Sequence, residues 1–573
     1  MDIVSDCRLA TELSAKTKQE FRKSVNEIYK LMLLDSLKGV EMATRATTVA
    51  RKSLVASSHQ LASFWGAKIL SEGGTVVDAA ITTSAMLCVT QNNMCGLGGD
   101  LFSLVKFGGK IFYLNGSGRA SENATIEFYR KENGFDKIPE RGPLAALTVP
   151  GIVHAWGELH SRFGTIELKK LLEPAIFYAE SGVPLTSNYA SSIRASAPFL
   201  GEFSGWSEVF LPNGSPPPPG TLFRQRDLAS TLREIAEGGP QAFYSGRLCE
   251  RIIKGISEQG GVFTSRDFSK HTSTWSEPLK TDYRGTTVYE TAPNSQAATV
   301  LLWLNMLEEY DISKYGVDSS ELFEILLDTC LKSYAERAKH ITDPTFHGLP
   351  KEFTSKEFAS RIARSSRTVA NLVPNPVGGS GDTTYFTVGN SEGDCLSVIQ
   401  SNYMGFGSGL VPKGTGIVLH NRGCYFSLDE RHHNALKPGK RTFHTLCASL
   451  GETDSGSTKF SLGCMGGDVQ PQVHVQLMTK IIDYNMDLQS AIDAPRWVVP
   501  FTIYEQPSKV FLEPGMEKLT SAARRTAERA GLSLELFETL SSQTGHAQAI
   551  LFGDHGTLLG GADPRGDGAA IGF

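Results

Sequence analysis

The sequence lacks the features that would place the chain in a membrane, on nucleic acid or around a metal ion. It contains no Cys-x-x-Cys pair, no apolar run near the roughly 20 residues that a membrane helix requires, and no excess of basic residues. The formal net charge is −5 at pH 7. His432 and His433 are adjacent but stand in a polar stretch without a nearby cysteine. We therefore expect no metal, no cofactor, no nucleic acid and no membrane partner.

The cysteines and the N-terminal residues indicate a compartment. The nine cysteines are scattered from Cys7 to Cys464, which favours buried free thiols in a reducing environment. The first 50 residues carry charges of both signs and only a short apolar run at 31–34, so neither a signal peptide nor a transit peptide is expected. These features predict a cytosolic location. With 573 residues, 40% of them hydrophobic, the chain has the composition of a large soluble enzyme.

Hydrophobic periodicity predicts a layered α/β fold in which helices cover sheets. Residues 1–50 are expected to be a helical extension, because apolar residues recur at helical spacing from Phe21 to Leu31. A helix from Leu61 should end at Gly73-Gly74, and Thr75 should cap the next one. Residues 95–100 are predicted as a tight turn near the active site, since strand and helix flank them in the wrong order for a dinucleotide-binding loop. The remaining predicted elements are helices and polar loops over 150–370 with a long helix at 322–339, strands at 384–388, 395–401, 416–420, 458–462 and 547–552, and helices at 472–492 and 515–530.

The junction before Thr383 has the composition of a self-cleavage site. Gly378-Gly-Ser-Gly-Asp382 leads directly into the β-branched and aromatic run that starts at Thr383. A threonine hydroxyl is a weak nucleophile unless a base lies beside it, and an N-terminal threonine carries its own base, the α-amine. The flexible run would let the Thr383 hydroxyl attack the carbonyl of Asp382. The junction therefore predicts cleavage before Thr383 and a new N-terminal nucleophile.

Two further segments complete the predicted site. If Val388 pairs with Cys395 in a hairpin, Thr383 lies beside Gln400, give or take one residue, and Ser401 can orient the Thr383 hydroxyl. Gly466 and Gly467 follow a strand and open a helix, so their N–H groups can stabilise an oxyanion. Each pattern alone is usually structural, and the prediction rests on their combination. The alternative is an unprocessed binding or scaffold protein, which would need none of the three features.

The combined pattern resembles the γ-glutamyltranspeptidases, which are N-terminal-nucleophile hydrolases, over about residues 50–573. The motifs that carry the resemblance are Gly73-Gly74-x-x-x-Asp78-Ala-Ala, Cys95-Gly-Leu-Gly-Gly-Asp100, Gly381-Asp-Thr-Thr384, Phe406-Gly-Ser-Gly409, Pro438-Gly-Lys440, Met465-Gly-Gly467 and Gly561-Ala-Asp-Pro-Arg565. The resemblance implies an αββα sandwich made from a precursor. It also implies a large chain, residues 51–382 after the extension, and a small chain, residues 383–573, which stay associated as one fold.

By the same resemblance, Thr383 is both the processing residue and the nucleophile, Ser401 supports it, and Gly466 and Gly467 form the oxyanion hole. The implied substrates are γ-glutamyl amides such as glutathione, whose acyl group passes to water or to an amine acceptor.

The residues that would hold a glutamyl group depart from the family pattern. The position of the arginine that grips the α-carboxylate falls at about Ser117, although Arg119 lies two residues later and could substitute. Tyr425 stands where the family has the acid that binds the α-amine. Three further substitutions in the implied substrate site are Tyr403 for an asparagine and His444-Thr445 for paired serines.

These changes remove a cation, an acid and an amide from the implied site and add two tyrosines. Charge-assisted pairs discriminate strongly between substrates, so a zwitterionic glutamyl head would be bound less well. The pattern resembles the branch of the family that includes cephalosporin acylases. The alternative substrate is therefore the amide of a larger or less polar acyl group. His444 could still bind a carboxylate, or it could be a packed supporting histidine.

Overall fold

The computed structural model describes residues 45–365, 381–501, 509–553 and 555–573, and residues 47–573 belong to one unit. The helix expected between Phe21 and Leu31 lies outside the described residues. Thr48–Ala50, which the predicted extension included, form a strand that pairs with Leu558–Ala562.

The described strands, numbered in chain order, are β1 Thr48–Ala50, β2 Ser53–Ser57, β3 Asp100–Phe107, β4 Lys110–Asn115, β5 Val183–Pro184, β6 Leu222–Phe223, β7 Thr274–Ser276, β8 Leu279–Tyr283, β9 Thr286–Glu290, β10 Gly381–Asn390, β11 Cys395–Met404, β12 Ser449–Thr453, β13 Thr458–Cys464, β14 Trp497–Val498, β15 Lys509–Leu512, β16 Ser533–Leu536, β17 Ala547–Phe552, β18 Leu558–Ala562 and β19 Ala569–Gly572.

The described α-helices, numbered in the same way, are α1 Gln60–Ser71, α2 Val76–Thr90, α3 Ile152–Phe163, α4 Leu168–Ser181, α5 Ser187–Leu200, α6 Ser204–Phe210, α7 Arg226–Gly238, α8 Gln241–Tyr244, α9 Gly246–Ser257, α10 Ser265–Ser269, α11 Ala298–Leu307, α12 Ser320–His340, α13 Lys356–Arg364, α14 Gln470–Ile482, α15 Leu488–Asp493 and α16 Thr520–Arg529.

Two seven-stranded antiparallel sheets form the centre of the fold. One has the order β1-β18-β17-β13-β12-β9-β8 and the other β19-β2-β10-β11-β3-β4-β7. They face each other where β10 packs against β13 and β17. Helices α1 and α2 cover the outer face of the second sheet, and α11, α14 and α15 cover the first. The arrangement is the αββα sandwich that the resemblance implied.

Burial on both faces explains why β10 and β11 lie at the centre of their sheet. Every residue of β11 is buried, which is typical of a strand covered on both sides. Tyr385 and Ile399 point into the layer between the sheets, in a cluster with Phe102. Val388 and Leu396 belong to the cluster under the outer helices. Thr383 therefore stands near the start of a strand that is fixed on both faces.

Most of the predicted elements are confirmed. Helix α1 ends at Ser71, before Gly73-Gly74. The Thr75 hydroxyl accepts a hydrogen bond from the Asp78 N–H while the Asp78 carboxylate accepts one from Thr75 N, which is a capping box. The long helix α12 and the strands β10, β11, β13 and β17 occur where they were expected.

Three predictions of secondary structure are wrong. Residues 416–420 form no strand, because Leu419 makes only an isolated bridge to Gly98. The helix expected at 472–492 is two helices, α14 and α15, separated by a turn in which Asn485 has a φ of 48°. The stretch 150–370, expected to be mostly helical, also contains β7, β8 and β9, which are edge or near-edge strands of at most five residues.

The chain segments on the two sides of the predicted cleavage point share both sheets. Strand β10 pairs with β2, β11 pairs with β3, and β12 pairs with β9, so each sheet contains strands from both sides of residue 383 that are hydrogen-bonded to one another. Chains cut at this point would stay joined by these ladders and by the shared core, as the predicted association of the two chains requires.

The cysteines of the described residues are buried and unbonded, as expected; Cys7 lies outside the described residues. Over the same ranges, no helix is long and apolar enough to cross a membrane, and no group of three or more His, Cys, Asp or Glu side chains could hold a metal ion. The cytosolic location stays a prediction.

Candidate active site

Thr383 lies at a β-bulge near the start of β10. Asp382 pairs with Tyr403 and Thr384 pairs with Gln400, so Thr383 alone stands opposite two residues of β11, Ser401 and Asn402. The expected pairing of Val388 with Cys395 is wrong by one residue, because Val388 pairs with Leu396. The Thr383 side chain is 1% exposed.

The Ser401 hydroxyl connects the predicted nucleophile with the predicted scissile bond. It accepts a hydrogen bond from the Thr383 hydroxyl at 3.0 Å and donates one to the Asp382 carbonyl oxygen at 2.7 Å. It also accepts a hydrogen bond from the Tyr403 N–H at 2.7 Å. One donor and two lone pairs are all that a hydroxyl offers, so its orientation is fully determined. The predicted contact between Ser401 and Thr383 is confirmed.

The turn at residues 95–100 supports this arrangement from the neighbouring strand. Asp100 begins β3 and pairs with Ser401. A Cβ on Gly99 would lie 2.5 Å from the Ser401 carbonyl oxygen, so no other residue type fits there without displacing the backbone. The predicted position of this turn, close to the active site, is confirmed.

Asp382 presents an acid next to the bond that would be cut. Its carboxyl lies near Gly405, whose carbonyl accepts a hydrogen bond from Arg141. Desolvation raises the pKa of Asp382 from 3.8 to about 7, and the guanidinium of Arg141 opposes the shift only in part. An ionised carboxylate is therefore unfavourable at this position in the uncut chain.

Gly466 and Gly467, the predicted oxyanion-hole residues, form a turn that packs against β10. They follow β13 with φ angles of 135° and 58°, which only glycine adopts without strain in combination. The 3₁₀ turn Gly467–Val469 packs against β10. Among the described residues, neither glycine donates its backbone N–H to another group. Two free donors beside the strand that begins at Thr383 match the predicted role.

A buried polar network fixes this glycine turn. The Gln296 amide donates to the carbonyl oxygens of Thr445 and Gly467 at 2.8 and 2.9 Å. Gln296 accepts from Arg337, whose guanidinium also donates to Asp468 at 2.8 Å. These hydrogen bonds hold the turn in a low-dielectric interior, although the Arg337 Nε has no partner among the described residues.

Tyr403 and Tyr425 come together beside the nucleophile, as their predicted substrate-site positions require. Their ring centroids are 4.9 Å apart, and Tyr403 is the residue that pairs with Asp382. The Tyr425 hydroxyl donates to the Asp468 carboxylate. Tyr425, which the resemblance places where the family has an acid, is thus hydrogen-bonded to another acid, Asp468.

His444 is held inside the protein instead of facing a ligand. Its Nε2 donates to Asp100 at 3.1 Å, and its Nδ1 accepts a hydrogen bond from the Leu446 N–H at 3.3 Å. Burial, and then the charge of Arg422, lowers the pKa of His444 to about 3, against the attraction of Asp100. Because both ring nitrogens are engaged within the protein, the structure favours the packed supporting histidine over the carboxylate-binding residue.

The other predicted substrate residues do not gather at Thr383. The Ser117 hydroxyl donates to Asn115 at 2.7 Å. Arg119 is half-buried and donates to the Thr272 carbonyl at 3.4 Å. The buried Thr445 hydroxyl has no hydrogen-bond partner among the described residues, which leaves it available to a ligand.

Sequence reasoning missed four charged residues around the site: Asp100 as a side chain, Arg337, Arg422 and Asp468. Arg337 carried a signal, because it continues the apolar stripe of α12 through Leu326, Cys330 and Tyr334. A charged residue on such a stripe is buried and needs a partner. Arg422 carried none, since it lies in a polar segment of irregular structure.

We expect Ser401→Ala to slow self-cleavage by about 100-fold or more, because the variant loses the donor on the scissile carbonyl and the acceptor of the Thr383 hydroxyl together. Cleavage can be followed on denaturing gels after expression at low temperature. Ser401→Thr keeps the hydroxyl and is the matched control. Cleavage of Ser401→Ala at the wild-type rate would show that this hydroxyl has no part in the reaction.

The raised pKa of Asp382 predicts a pH-dependent stability of the uncut chain. The folded form binds the proton of Asp382 more tightly than the unfolded form does. The contribution of Asp382 to the free energy of unfolding is therefore fully present below about pH 4, and it is lost as the pH rises toward about 7. We expect Thr383→Ala, relative to a Thr383→Ala/Asp382→Asn control, to lose stability across this range. Urea midpoints at several pH values measure the difference, and a difference that does not change between pH 4 and pH 7 would refute it.

Comparisons with known proteins agree with this site. A family model described as Gamma-glutamyltranspeptidase matches residues 62–573. The glutathione hydrolase-like YwrD proenzyme of Bacillus subtilis (strain 168) is 38% identical over 531 residues, which cover 92% of this chain and 99% of that protein. The oxamate amidohydrolase proenzyme of Klebsiella pneumoniae is 35% identical over 92% of this chain and 100% of that protein. The crystal structure of cephalosporin acylase from Bacillus halodurans superposes with a TM-score of 0.85 at 35% identity, over 93% of this chain and 97% of that one. The chain therefore belongs to the gamma-glutamyltranspeptidase family.

Proposed function

We propose that this protein is a self-processing amidohydrolase that cuts itself between Asp382 and Thr383 and then uses Thr383 on small amides. The observation that supports the proposal most is the Ser401 hydroxyl, which is bonded to the Thr383 hydroxyl and to the Asp382 carbonyl at once. A scaffold protein has no use for this connection. The names of the two relatives, both proenzymes, agree with a processed product.

In the processing step, the Thr383 Oγ attacks the carbonyl carbon of Asp382 through a five-membered ring. The donor hydrogen bond from Ser401 polarises that carbonyl and stabilises the negative charge that forms on its oxygen. The peptide C–N bond then breaks and the nitrogen takes a proton, which leaves an ester between Asp382 and Thr383. Water hydrolyses the ester, giving a carboxylate on Asp382 and a free α-amine on Thr383.

In the amidase step, the freed α-amine of Thr383 takes the proton of its own hydroxyl while the oxygen attacks the substrate carbonyl. The N–H groups of Gly466 and Gly467 receive the oxyanion of the tetrahedral intermediate. Breakage of the amide bond transfers the proton to the leaving amine and leaves an acyl ester on Thr383. Water, or an amine acceptor, removes the acyl group and restores the hydroxyl.

The preferred acyl group in this proposal carries no α-amine. Two carboxylates beside the site are already used, because Asp100 accepts from His444 and Asp468 accepts from Arg337 and Tyr425. An α-ammonium group would find tyrosines where relatives that bind glutamate would need an acid. The names of two similar proteins, an oxamate amidohydrolase and a cephalosporin acylase, denote acyl groups other than glutamyl.

The second candidate donor is a γ-glutamyl amide such as glutathione. The family itself and the name of the Bacillus subtilis relative, a glutathione hydrolase-like proenzyme, favour it. On this proposal the Asp468 carboxylate would have to exchange its Tyr425 hydrogen bond for the ammonium group of the substrate. The two donors differ by one functional group, so one pair of substrates separates them.

We expect the wild-type chain of 62.2 kDa to run as two fragments of about 41 and about 21 kDa on a denaturing gel, in proportion to residue number. Thr383→Ala should remain a single band without amidase activity, whereas Thr383→Ser, which keeps a hydroxyl, should still be cut. Normal fragments from Thr383→Ala, or a single band from the wild type, would overturn the proposed mechanism.

We expect the processed enzyme to favour glutaryl anilide over γ-glutamyl anilide by about tenfold or more in kcat/KM, because the two differ only in an ammonium group for which the site has no free acid. Release of the same aniline reports both reactions. A preference for the γ-glutamyl compound would establish the second candidate in place of the first.

A further inference from the structure

Arg422 is a buried cation whose hydrogen-bond donors are unused. Its side chain is 1% exposed, and its Nε, Nη1 and Nη2 atoms have no hydrogen-bond partner among the described residues. The guanidinium carbon lies 4.1 Å from the ring centroid of Tyr403 and 5.4 Å from that of Tyr425. Ring faces attract the positive charge but accept none of the five N–H groups in their plane.

Asp100 interacts with the charge of Arg422 without bonding to it. Arg422 helps to hold the pKa of Asp100 below its ordinary value, after His420 and His444 and against the effect of burial. The Asp100 oxygens, however, accept from the Gly118 N–H and from His444 Nε2. The guanidinium therefore keeps a planar set of donors that matches the two oxygens of another carboxylate.

The location of Arg422 places these donors beside the acyl group. Its guanidinium stacks on Tyr403, the residue directly opposite Asp382 in the β10–β11 pair. Asp382 is the acyl donor of the processing step, so the acyl group of a substrate must take over the place that its carbonyl occupies. The N–H of Tyr403 also donates a hydrogen bond to the Ser401 hydroxyl, which in turn accepts one from Thr383. The two tyrosines are therefore connected to the nucleophile through Ser401.

We propose that Arg422 binds a carboxylate on the acyl group of the substrate, so that the preferred donors are monoamides of short dicarboxylic acids. This inference rests on the proposed function. Arg422 would supply the cation that is missing at Ser117 and that Arg119 does not replace. It belongs to a different element, the 3₁₀ turn Arg422–Tyr425. A bidentate pair inside this dry site would also orient the amide carbonyl toward Thr383.

A purely structural Arg422 would behave differently. If the guanidinium served only to join the two tyrosine rings, its removal would lower stability and affect all acyl groups alike. A binding residue that waits for its partner instead costs stability in the free protein, because a buried donor without an acceptor is unfavourable. Arg422→Gln is therefore expected to unfold at the same temperature as the wild type or at a higher one.

The test compares glutaryl anilide with pentanoyl anilide, in which a methyl group replaces the carboxylate. In the processed wild type we expect kcat/KM to favour the glutaryl compound, and we expect Arg422→Gln to reduce this ratio by about 10- to 100-fold. Arg422→Lys keeps the charge but loses the pair of parallel N–H donors, so its ratio should lie between those of the wild type and Arg422→Gln. A ratio below one in the wild type, or an unchanged ratio in a folded Arg422→Gln, would overturn the inference.

Binding of free glutarate, measured by calorimetry, separates this inference from the proposed function. The wild type should bind glutarate and Arg422→Gln should bind it at least about tenfold more weakly. If no anilide is turned over but glutarate binding depends on Arg422, the amidase proposal fails and the carboxylate site stands. If anilides are turned over and glutarate binds both proteins equally, the carboxylate site fails and the amidase proposal stands.

Discussion

The hydroxyl of Ser401 is the point at which the fold and the proposed chemistry meet. Its three hydrogen bonds, to the Thr383 hydroxyl, the Asp382 carbonyl and the Tyr403 N–H, use all of its capacity. Because both strands around it are buried on both faces, neither the donor nor the acceptors can rotate away. The bulge in β11 places Ser401 and Asn402 opposite Thr383, and the Thr383 hydroxyl bonds to Ser401 there.

The surrounding charges are arranged so that most are satisfied and one is not. Asp100 is bonded to His444, and Asp468 is bonded to Arg337 and Tyr425, so both carboxylates serve to hold the site together. Arg422 has charge compensation from Asp100 but no acceptor. A site whose acids already have hydrogen-bond partners and whose arginine has none is complementary to an anion without an ammonium group. The unbonded donors of Arg422, which we propose bind the substrate carboxylate, also lower the stability of the free protein.

Local sequence patterns predicted the hairpin, the helix caps, the glycine turn and the nucleophile, because each depends on a few neighbouring residues. The register of the hairpin was wrong by one residue because the turn sets it: Gly389, not Val388, pairs with Cys395, and the side-chain pattern of the strands does not define where the turn closes. The role of His444 was not predictable, since its partner Asp100 lies 344 residues away in the chain. Arg422 was missed for the same reason, as its burial depends on tyrosines that only the folded sheet brings over it.

Direct identification of the acylated atom tests the central role of Thr383. The processed protein would be mixed with an anilide donor, quenched in acid within the first turnover and digested for mass spectrometry. We expect a peptide that begins at Thr383 and carries the acyl group as an ester on its Oγ. A peptide that runs unbroken through Asp382-Thr383, or an acyl group on any other residue, would contradict the proposed mechanism.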